Sequence, residues 1–302
     1  MKIVINPQYL SLSGFIKSLP ENFDNTGEFI YNERNQIKKY EVEGLDIAVK
    51  SFKIPILINR IAYTFFRKSK AARSYIHGLG ILKRGFSTPA PVAYIETRKC
   101  GLMYRSFYIS IYDKEKESVR RLMANEDKGD TSLILKDFAH FVAGMHQAGI
   151  LHIDLSPGNI LMSKDSDNRY HFSIIDINRL LLKNHISRKE ALQNFERLCL
   201  SKEISTQIAG FYAKERGWDE EETVAMINKY SDAFFLKICF RNAQKDIRKE
   251  SGLLKSLFGP IQEFKRTKDA ERKKYLYDKY LKNRDWRGCV ESYVLHRCSS
   301  SQ

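Results

Sequence analysis

Three oxygen-bearing side chains near the middle of the chain have the types and spacing that phosphoryl transfer requires. Asp154 and Asn159 lie five positions apart in the run Leu-His-Ile-Asp-Leu-Ser-Pro-Gly-Asn-Ile-Leu, from Leu151 to Leu161. Pro157 and Gly158 interrupt any helix between them, so the run is expected to be a loop. Asp176 follows Phe172-Ser173-Ile174-Ile175, a short β-prone run that puts it at a strand end. Transfer of a phosphoryl group to a hydroxyl needs a carboxylate that orients the hydroxyl and accepts its proton, together with oxygen ligands for Mg²⁺ on the nucleotide phosphates. Asp154 fits the first role, and Asn159 with Asp176 fits the second. Asp and Asn are also common turn residues, but three such positions in register with a following strand and a preceding long helix favour the chemical reading.

The preceding helix is expected from Thr131 to Ala148, where Leu133, Leu135, Phe138, Phe141, Val142, Met145 and His146 form a mostly apolar face. His146 reads as a packed helix residue and not as a ligand. His152 reads as a brace for the loop through hydrogen bonding. Lys164 to Tyr170 forms a polar hairpin, and Arg179 is expected to hold the metal loop in place. Beyond Ser187 the pattern is helical and charged, with segments near Lys189 to Cys199, Glu203 to Arg216, Glu220 to Ile247 and Ile261 to Asn283. Lys265 to Lys282 reads as a solvated helix face, with Trp286 and Tyr293 as packing residues and a mobile tail at Ser299 to Gln302.

The amino-terminal half reads differently. Residues 1–28 mix short apolar runs with Pro, Asn and Gly and read as the entry to a sheet. A β-hairpin follows through Phe29-Ile30-Tyr31 and Ile37 to Val42, then a turn at Glu43-Gly44 and a third strand from Leu45 to Phe52. Two more strands, Val92 to Ile95 and Ser106 to Ile111, join across Cys100-Gly101. Between these groups, Ser69 is placed to cap a helix that runs to Arg84 and ends at Gly85. Ahead of it, Leu57, Ile58, Ile61, Ala62, Phe65 and Phe66 project to one side of a helix, with Asn59, Arg60, Tyr63 and Arg67 opposite. From Ile47 to Ile95 the sequence holds no acidic residue. This basic amphipathic segment, 53–73, suits either an anionic membrane surface or packing of its apolar side against the sheet.

Bulk composition agrees with a folded, basic protein. The chain has 302 residues, 43% hydrophobic and 29% charged, enough for one large or two-lobed domain. Fifty-one Lys and Arg against 36 Asp and Glu give a net charge of +15, which attracts polyanions such as nucleic acid, anionic lipid or a phosphorylated glycan. No nucleic-acid recognition motif accompanies the charge, so nucleic acid is the least favoured partner. The five cysteines form no Cys-x-x-Cys or Cys/His cluster, as expected of a reducing compartment without structural zinc. No signal peptide is evident, and no apolar run approaches the roughly 20 residues that span a bilayer. The expectation is a cytoplasmic or peripheral protein.

The central pattern resembles the His-x-Asp-Leu-x-x-x-Asn catalytic loop and the metal-binding Asp of the protein-kinase-like fold. Ile153 stands where an Arg is usual, and Asp176-Ile177-Asn178 stands for Asp-Phe-Gly. The resemblance implies an α+β, two-lobed fold. Residues 1–112 would form a small antiparallel-sheet N-lobe. Residues 113–302 would form a mainly helical C-lobe carrying the catalytic loop 151–161 and the metal loop 173–179. It further implies that Lys50 grips the nucleotide and that Ile109 to Tyr112 form a hinge where Ser110 and Tyr112 meet adenine. The first hairpin lacks Gly-x-Gly-x-x-Gly, and Arg34 and Asn35 at its tip either contact phosphate through their side chains or are simply solvated. The helix that should supply a Glu for Lys50 has none; Ile76 or His77 stands near its place. Either Lys50 finds another carboxylate, such as Asp176, or the enzyme is impaired.

Four stretches make the resemblance more specific. They are Val49 to Pro55, Ser69 to Tyr75, Ser87 to Glu96 with its Ser-Thr-Pro-x-Pro-x-Ala-Tyr-Ile-Glu pattern, and Asp154 to Leu161 with Asp-Leu-Ser-Pro-Gly-Asn. They look like the bacterial lipopolysaccharide core kinases that act on Kdo or heptose. That family implies ATP, Mg²⁺ and a sugar hydroxyl on a lipid-anchored anionic core glycan, at the inner face of the cytoplasmic membrane. The competing expectations are a kinase for another small hydroxyl compound or for protein, and a nucleotide-binding scaffold without turnover. Which sugar is phosphorylated, and the oligomeric state, are not legible.

Overall fold

The computed structural model describes residues 1–113, 117–123, 131–167, 169–199 and 201–255. The anticipated helix at Ile261 to Asn283, Trp286, Tyr293 and the tail lie outside them. In chain order the N-terminal elements are β1 (Lys2–Ile5), α1 (Ser13–Asn22), β2 (Glu28–Asn32), β3 (Gln36–Val42), β4 (Leu45–Phe52), α2 (Leu57–Phe65), α3 (Lys70–Lys83), β5 (Pro91–Lys99) and β6 (Leu102–Ile111). There follow β7 (Glu117–Ser118), α4 (Arg120–Met123), α5 (Ser132–Gln147), β8 (Ile150–Leu151), β9 (Ile160–Lys164), β10 (Tyr170–Ile174), β11 (Leu181–Leu182), α6 (Arg188–Gln193), α7 (Lys202–Arg216) and α8 (Glu220–Lys255).

One antiparallel sheet of six strands, in the order β1-β5-β6-β4-β3-β2, forms the first layer. Its two tight hairpins turn through pairs of residues in the left-handed region, Glu43-Gly44 and Cys100-Gly101. Paired positive φ angles match the strand twist, which is why the second member of each pair is Gly. Alternation along the strands sends successive side chains to opposite faces. Ile47, Val49, Ile95, Phe107 and Ile109 pack with Leu12, Ile16, Leu19 and Phe23 of the α1 region. On the other face Phe52, Tyr94 and Tyr108 meet Ala71, Ala72 and Tyr75 of α3. Lys50 and Ser110 therefore share the α3 face of the sheet, two residues from Phe52 and Tyr108.

Residues 1–28, expected only as the entry to a sheet, supply both an edge strand and a helix. β1 pairs with β5, and α1 closes the back of the sheet with Pro20 in its last turns. A buried lysine fixes the end of α1 to the first hairpin. Lys38 is 2% exposed, and its ammonium donates to the Phe23, Thr26 and Asp24 carbonyls at 2.6, 2.8 and 3.3 Å, lying also over the Phe29 ring. Those three carbonyls satisfy all three ammonium donors of a charge that would otherwise be costly to bury.

A second hydrophobic core, separate from the sheet clusters, is built on α5, α7 and the β8 to β10 segments. α5 ends at Gly149, whose φ of +73° continues the chain into β8, and a Cβ there would strike the Lys183 carbonyl. His146 is buried in this core, as its place on the apolar face of α5 implied. Its Nδ1 accepts from the Tyr212 hydroxyl at 2.8 Å, and its Nε2 donates to Asn194 Oδ1 at 3.1 Å. Burial pushes the His146 pKa down to about 4, from the ordinary histidine value near 6.5.

Between these values the unfolded chain binds a proton that the native chain refuses, so stability falls as pH falls. Urea unfolding is expected to show roughly 2–3 kcal/mol lost through this group between pH 7.5 and 4.5. A His146→Gln variant should show a pH dependence shallower by that amount; identical slopes would refute the assignment.

Candidate active site

The catalytic-loop run folds as a chain of short turns held by its own polar groups. The Leu155 amide donates to the His152 carbonyl at 3.0 Å, and Pro157–Asn159 forms a single 3-10 turn. Asn159 Nδ2 donates to the Asp154 carbonyl at 2.8 Å, so the two residues singled out by spacing are tied together. That bond uses the Asn159 amide nitrogen and leaves its Oδ1 pointing elsewhere. His152 acts as the brace expected of it: Nε2 donates to the Ile175 carbonyl at 2.9 Å, next to Asp176. Burial drives its pKa down, against the bond to Ile175 and the charges of Asp176 and Asp154. The Ile175 amide donates to the Asn159 carbonyl at 2.9 Å, which closes the two loops on each other.

Asp176 sits in the left-handed region, with φ +54°, at the start of the 3-10 turn Ile177–Arg179. A non-Gly residue there is uncommon, though Asp tolerates it better than most, and it aims the carboxylate toward the sheet. Asp176 Oδ1 accepts from Lys50 Nζ at 2.8 Å and from Asn178 Nδ2 at 2.6 Å. Burial favours its protonated form, but the Lys50 charge and these hydrogen bonds outweigh burial and hold its pKa below the ordinary carboxylate range. Lys50 thus has a carboxylate partner although α3 carries no Glu. At the place of that missing Glu, His77 Nδ1 donates to the Ile177 carbonyl at 2.7 Å. An imidazole on α3 thereby docks the helix on the metal loop by hydrogen bonding to backbone.

Cations gather around the Lys50–Asp176 pair. Lys50 and Lys70 both lie over the Phe52 ring, at 5.4 and 5.9 Å from its centre. Lys70 occupies the first turn of α3, where no acidic residue stands. A cation there opposes the positive end of the helix dipole. Burial lowers its pKa, as do the charges of Arg34 and Arg73, while Asp176 opposes them. Arg34, at the exposed tip of the β2–β3 hairpin, is thus placed where its charge reaches the first turn of α3.

Asp154 is held by two guanidinium groups. Arg197 Nη1 donates to Oδ1 at 2.6 Å and Arg179 Nη1 to Oδ2 at 3.0 Å. Arg179 was expected to secure the metal loop; in the structure its ion pair reaches across to the catalytic-loop carboxylate. Arg197 was not anticipated, because it lies 43 residues from its partner and no local pattern marks it. The same is true of Asn194, whose Nδ2 donates to the His152 carbonyl at 2.8 Å while its Oδ1 receives His146. Lys70 had a visible signal, its position directly after the Ser69 cap, which accepts from the Ala72 amide at 3.0 Å.

Ser110 is buried in β6, paired with Ala48 and Pro91. The Ile111 and Tyr112 amides donate to the Ala90 and Asp46 carbonyls at 3.0 and 2.8 Å. The Ile111 and Tyr112 amides are thus already engaged within the sheet. Among the described residues no cluster of three or more His, Cys, Asp or Glu is present. The oxygen donors at hand for a metal are Asn159 Oδ1 and the Asp176 carboxylate, a hard-donor pair of the kind Mg²⁺ takes alongside phosphate and water.

The model of the lipopolysaccharide kinase (Kdo/WaaP) family matches residues 58–230, more than half of the 302-residue chain. The chain belongs to that family. Its chemistry is that of an ATP-dependent phosphotransferase, and its fold is kinase-like. Among solved structures, WaaP in complex with acyl carrier protein is similar in fold, at 17% identity and a TM-score of 0.54, over 78% of this chain and 99% of that one. WbdD bound to the kinase inhibitor LY294002 aligns at 15% identity and a TM-score of 0.37, over 67% of this chain and 44% of that one. WbdD at 2.2 Å resolution aligns at 16% identity and a TM-score of 0.39, over 67% and 45%. No protein of curated function matches the sequence at a significant level.

Asn194 joins a buried histidine of this kinase to its catalytic loop, so its loss strands two polar partners. Asn194→Ala is expected to cost about 2–3 kcal/mol in urea unfolding. A loss below about 0.5 kcal/mol would show that the link is not structural.

Proposed function

We propose that this member of the family phosphorylates a sugar hydroxyl, on Kdo or heptose, of the lipopolysaccharide inner core, using ATP with Mg²⁺ at the inner face of the cytoplasmic membrane. The observation that carries the reading is the Lys50–Asp176 ion pair at 2.8 Å, which links the nucleotide-gripping strand to the metal loop despite the missing helix Glu. In this reading residues 1–112 and 113–302 are the two lobes, and the cleft between them holds the nucleotide.

Asp154 takes the hydrogen bond of the acceptor hydroxyl and orients it. As the sugar oxygen bonds to the γ-phosphorus and the bond to ADP breaks, the hydroxyl proton passes to the Asp154 carboxylate. Arg179 and Arg197 fix that carboxylate and bring positive charge near the transferred group. Lys50 steadies the nucleotide phosphates, aided by Lys70 and by Arg34 from the hairpin tip. Lys70 stands at a helix N-terminus without an acidic neighbour, a place where an anion is favoured on both counts. Carbonyls near Ser110 and Tyr112 meet the adenine amino group. Mg²⁺ held by Asn159 and Asp176 would neutralise charge on the phosphate oxygens. The acceptor is anionic and lipid-anchored, which suits a chain of net charge +15.

Transfer of labelled γ-phosphate from ATP to purified Kdo-lipid A or to heptosylated core acceptors tests this. Asp154→Ala should lower kcat by about 10²–10⁴, and Lys50→Ala should raise KM for ATP. Mg²⁺-dependent ATP binding with no transfer to either acceptor would overturn the proposed substrate and point to a scaffold without turnover or to another hydroxyl.

A further inference from the structure

The most unusual surface of the molecule is α2, which is mounted inside out. A surface helix ordinarily turns its apolar stripe inward. Here Leu57, Ile58, Phe65 and Phe66 are 60, 75, 68 and 81% exposed, and the flanking Ile56 is 69% exposed. The polar side faces the sheet. Arg60 donates to the Met103 and Lys99 carbonyls at 2.9 and 3.0 Å, and Thr64 Oγ1 accepts from the Met103 amide at 2.9 Å. No residue of α2 is buried. The alternative left open by the sequence, that this apolar side packs on the sheet, is not what the fold does.

We propose that α2 is a docking element that lays its apolar face into a bilayer carrying anionic headgroups. Charge complementarity selects that occupant. The segment from Ile47 to Ile95 contains no acidic residue, and Arg67 and Lys68 follow the exposed phenylalanines directly, both exposed. An apolar stripe with aromatic residues and cationic flanks is the pattern of an interfacial helix lying in the membrane plane. Arg60 and Thr64 hold α2 against the β6 backbone, so the face is presented by a fixed mount.

The mount also leads to the cleft. Tyr63 of α2 and Arg67 beyond it act electrostatically on Arg73 of α3, which also feels Arg179. Arg179 pairs with Asp154. α2 is therefore linked through α3 to the loop that carries Asp176, on which His77 docks, and a bilayer seated on α2 would offer a lipid-anchored hydroxyl to the site in two dimensions. This last step rests on the kinase reading; the docking itself does not.

The test is co-sedimentation of the full chain with vesicles of phosphatidylglycerol and phosphatidylethanolamine, and with vesicles of phosphatidylcholine alone. Binding is expected to the former, weakening as salt rises. The triple variant Ile58→Ser, Phe65→Ser, Phe66→Ser should bind at least about tenfold more weakly. Arg67→Glu with Lys68→Glu should lose about tenfold on the anionic vesicles. Undiminished binding by the triple variant would overturn the proposal. So would wild-type protein that ignores both vesicles but self-associates, or binds an acidic carrier protein, through the same three residues.

A second readout keeps the two readings apart. The triple variant should phosphorylate a deacylated, soluble core oligosaccharide as wild type does, while losing transfer to the same acceptor embedded in vesicles. If wild type binds vesicles and transfers to neither acceptor form, the substrate reading fails and the docking surface stands.

Discussion

The Lys50–Asp176 ion pair is the constraint around which the rest of the site is arranged. It joins a strand of the six-stranded sheet to a loop 126 residues later, and its 2.8 Å length requires the two parts of the molecule to meet at one point. A lysine with no carboxylate would repel the other cations of the cleft. Asp176 supplies that carboxylate because its left-handed backbone turns the side chain toward the sheet, where Asn178 also fixes it. The His77 imidazole then performs with a carbonyl what a helix Glu would perform with the lysine: it secures α3 to the metal loop. One acidic residue thereby serves positions that usually need two.

That economy leaves the surroundings of the pair strongly positive. Lys70 feels Lys50, Arg34 and Arg73, Arg73 also feels Arg179, and Arg179 shares Asp154 with Arg197. Mutual repulsion and burial both work against such a cluster. Asp176 and Asp154 offset part of that cost, through Lys50 on the one hand and Arg179 and Arg197 on the other, and the cations still outnumber the carboxylates that they meet. The two guanidinium groups on Asp154 belong to the same logic, since they orient the carboxylate through charge-assisted hydrogen bonds.

Much of this was legible in the residues, for reasons that can be named. The Leu45 to Phe52 strand, the turns at Glu43-Gly44 and Cys100-Gly101, the Ser69 cap and the α5 helix are set by local chemistry, and each appears where its pattern put it. The kinase-like architecture followed from the same motifs. What the residues concealed was non-local. α1 was hidden by Pro20, Ser and Gly in a stretch whose helicity is decided by packing on the sheet. Arg197 and Asn194 reach the catalytic loop from a separate helical turn, with no spacing to announce them. The amphipathic character of α2 was plain, yet periodicity cannot say which side faces the protein; hydrogen bonds from Arg60 and to Thr64 decide that.

Lys38 divides the first hairpin into a fixed root and a bare edge. Its three bonds pin the root of the β2–β3 hairpin to the end of α1, whereas every residue of β2 is exposed and the tip carries Arg34. A ribbon clamped at its base and bare along one edge bends at the free end first. The hairpin is thus riveted at its root, and its bare β2 edge is the part that can move without disturbing the sheet that carries Lys50.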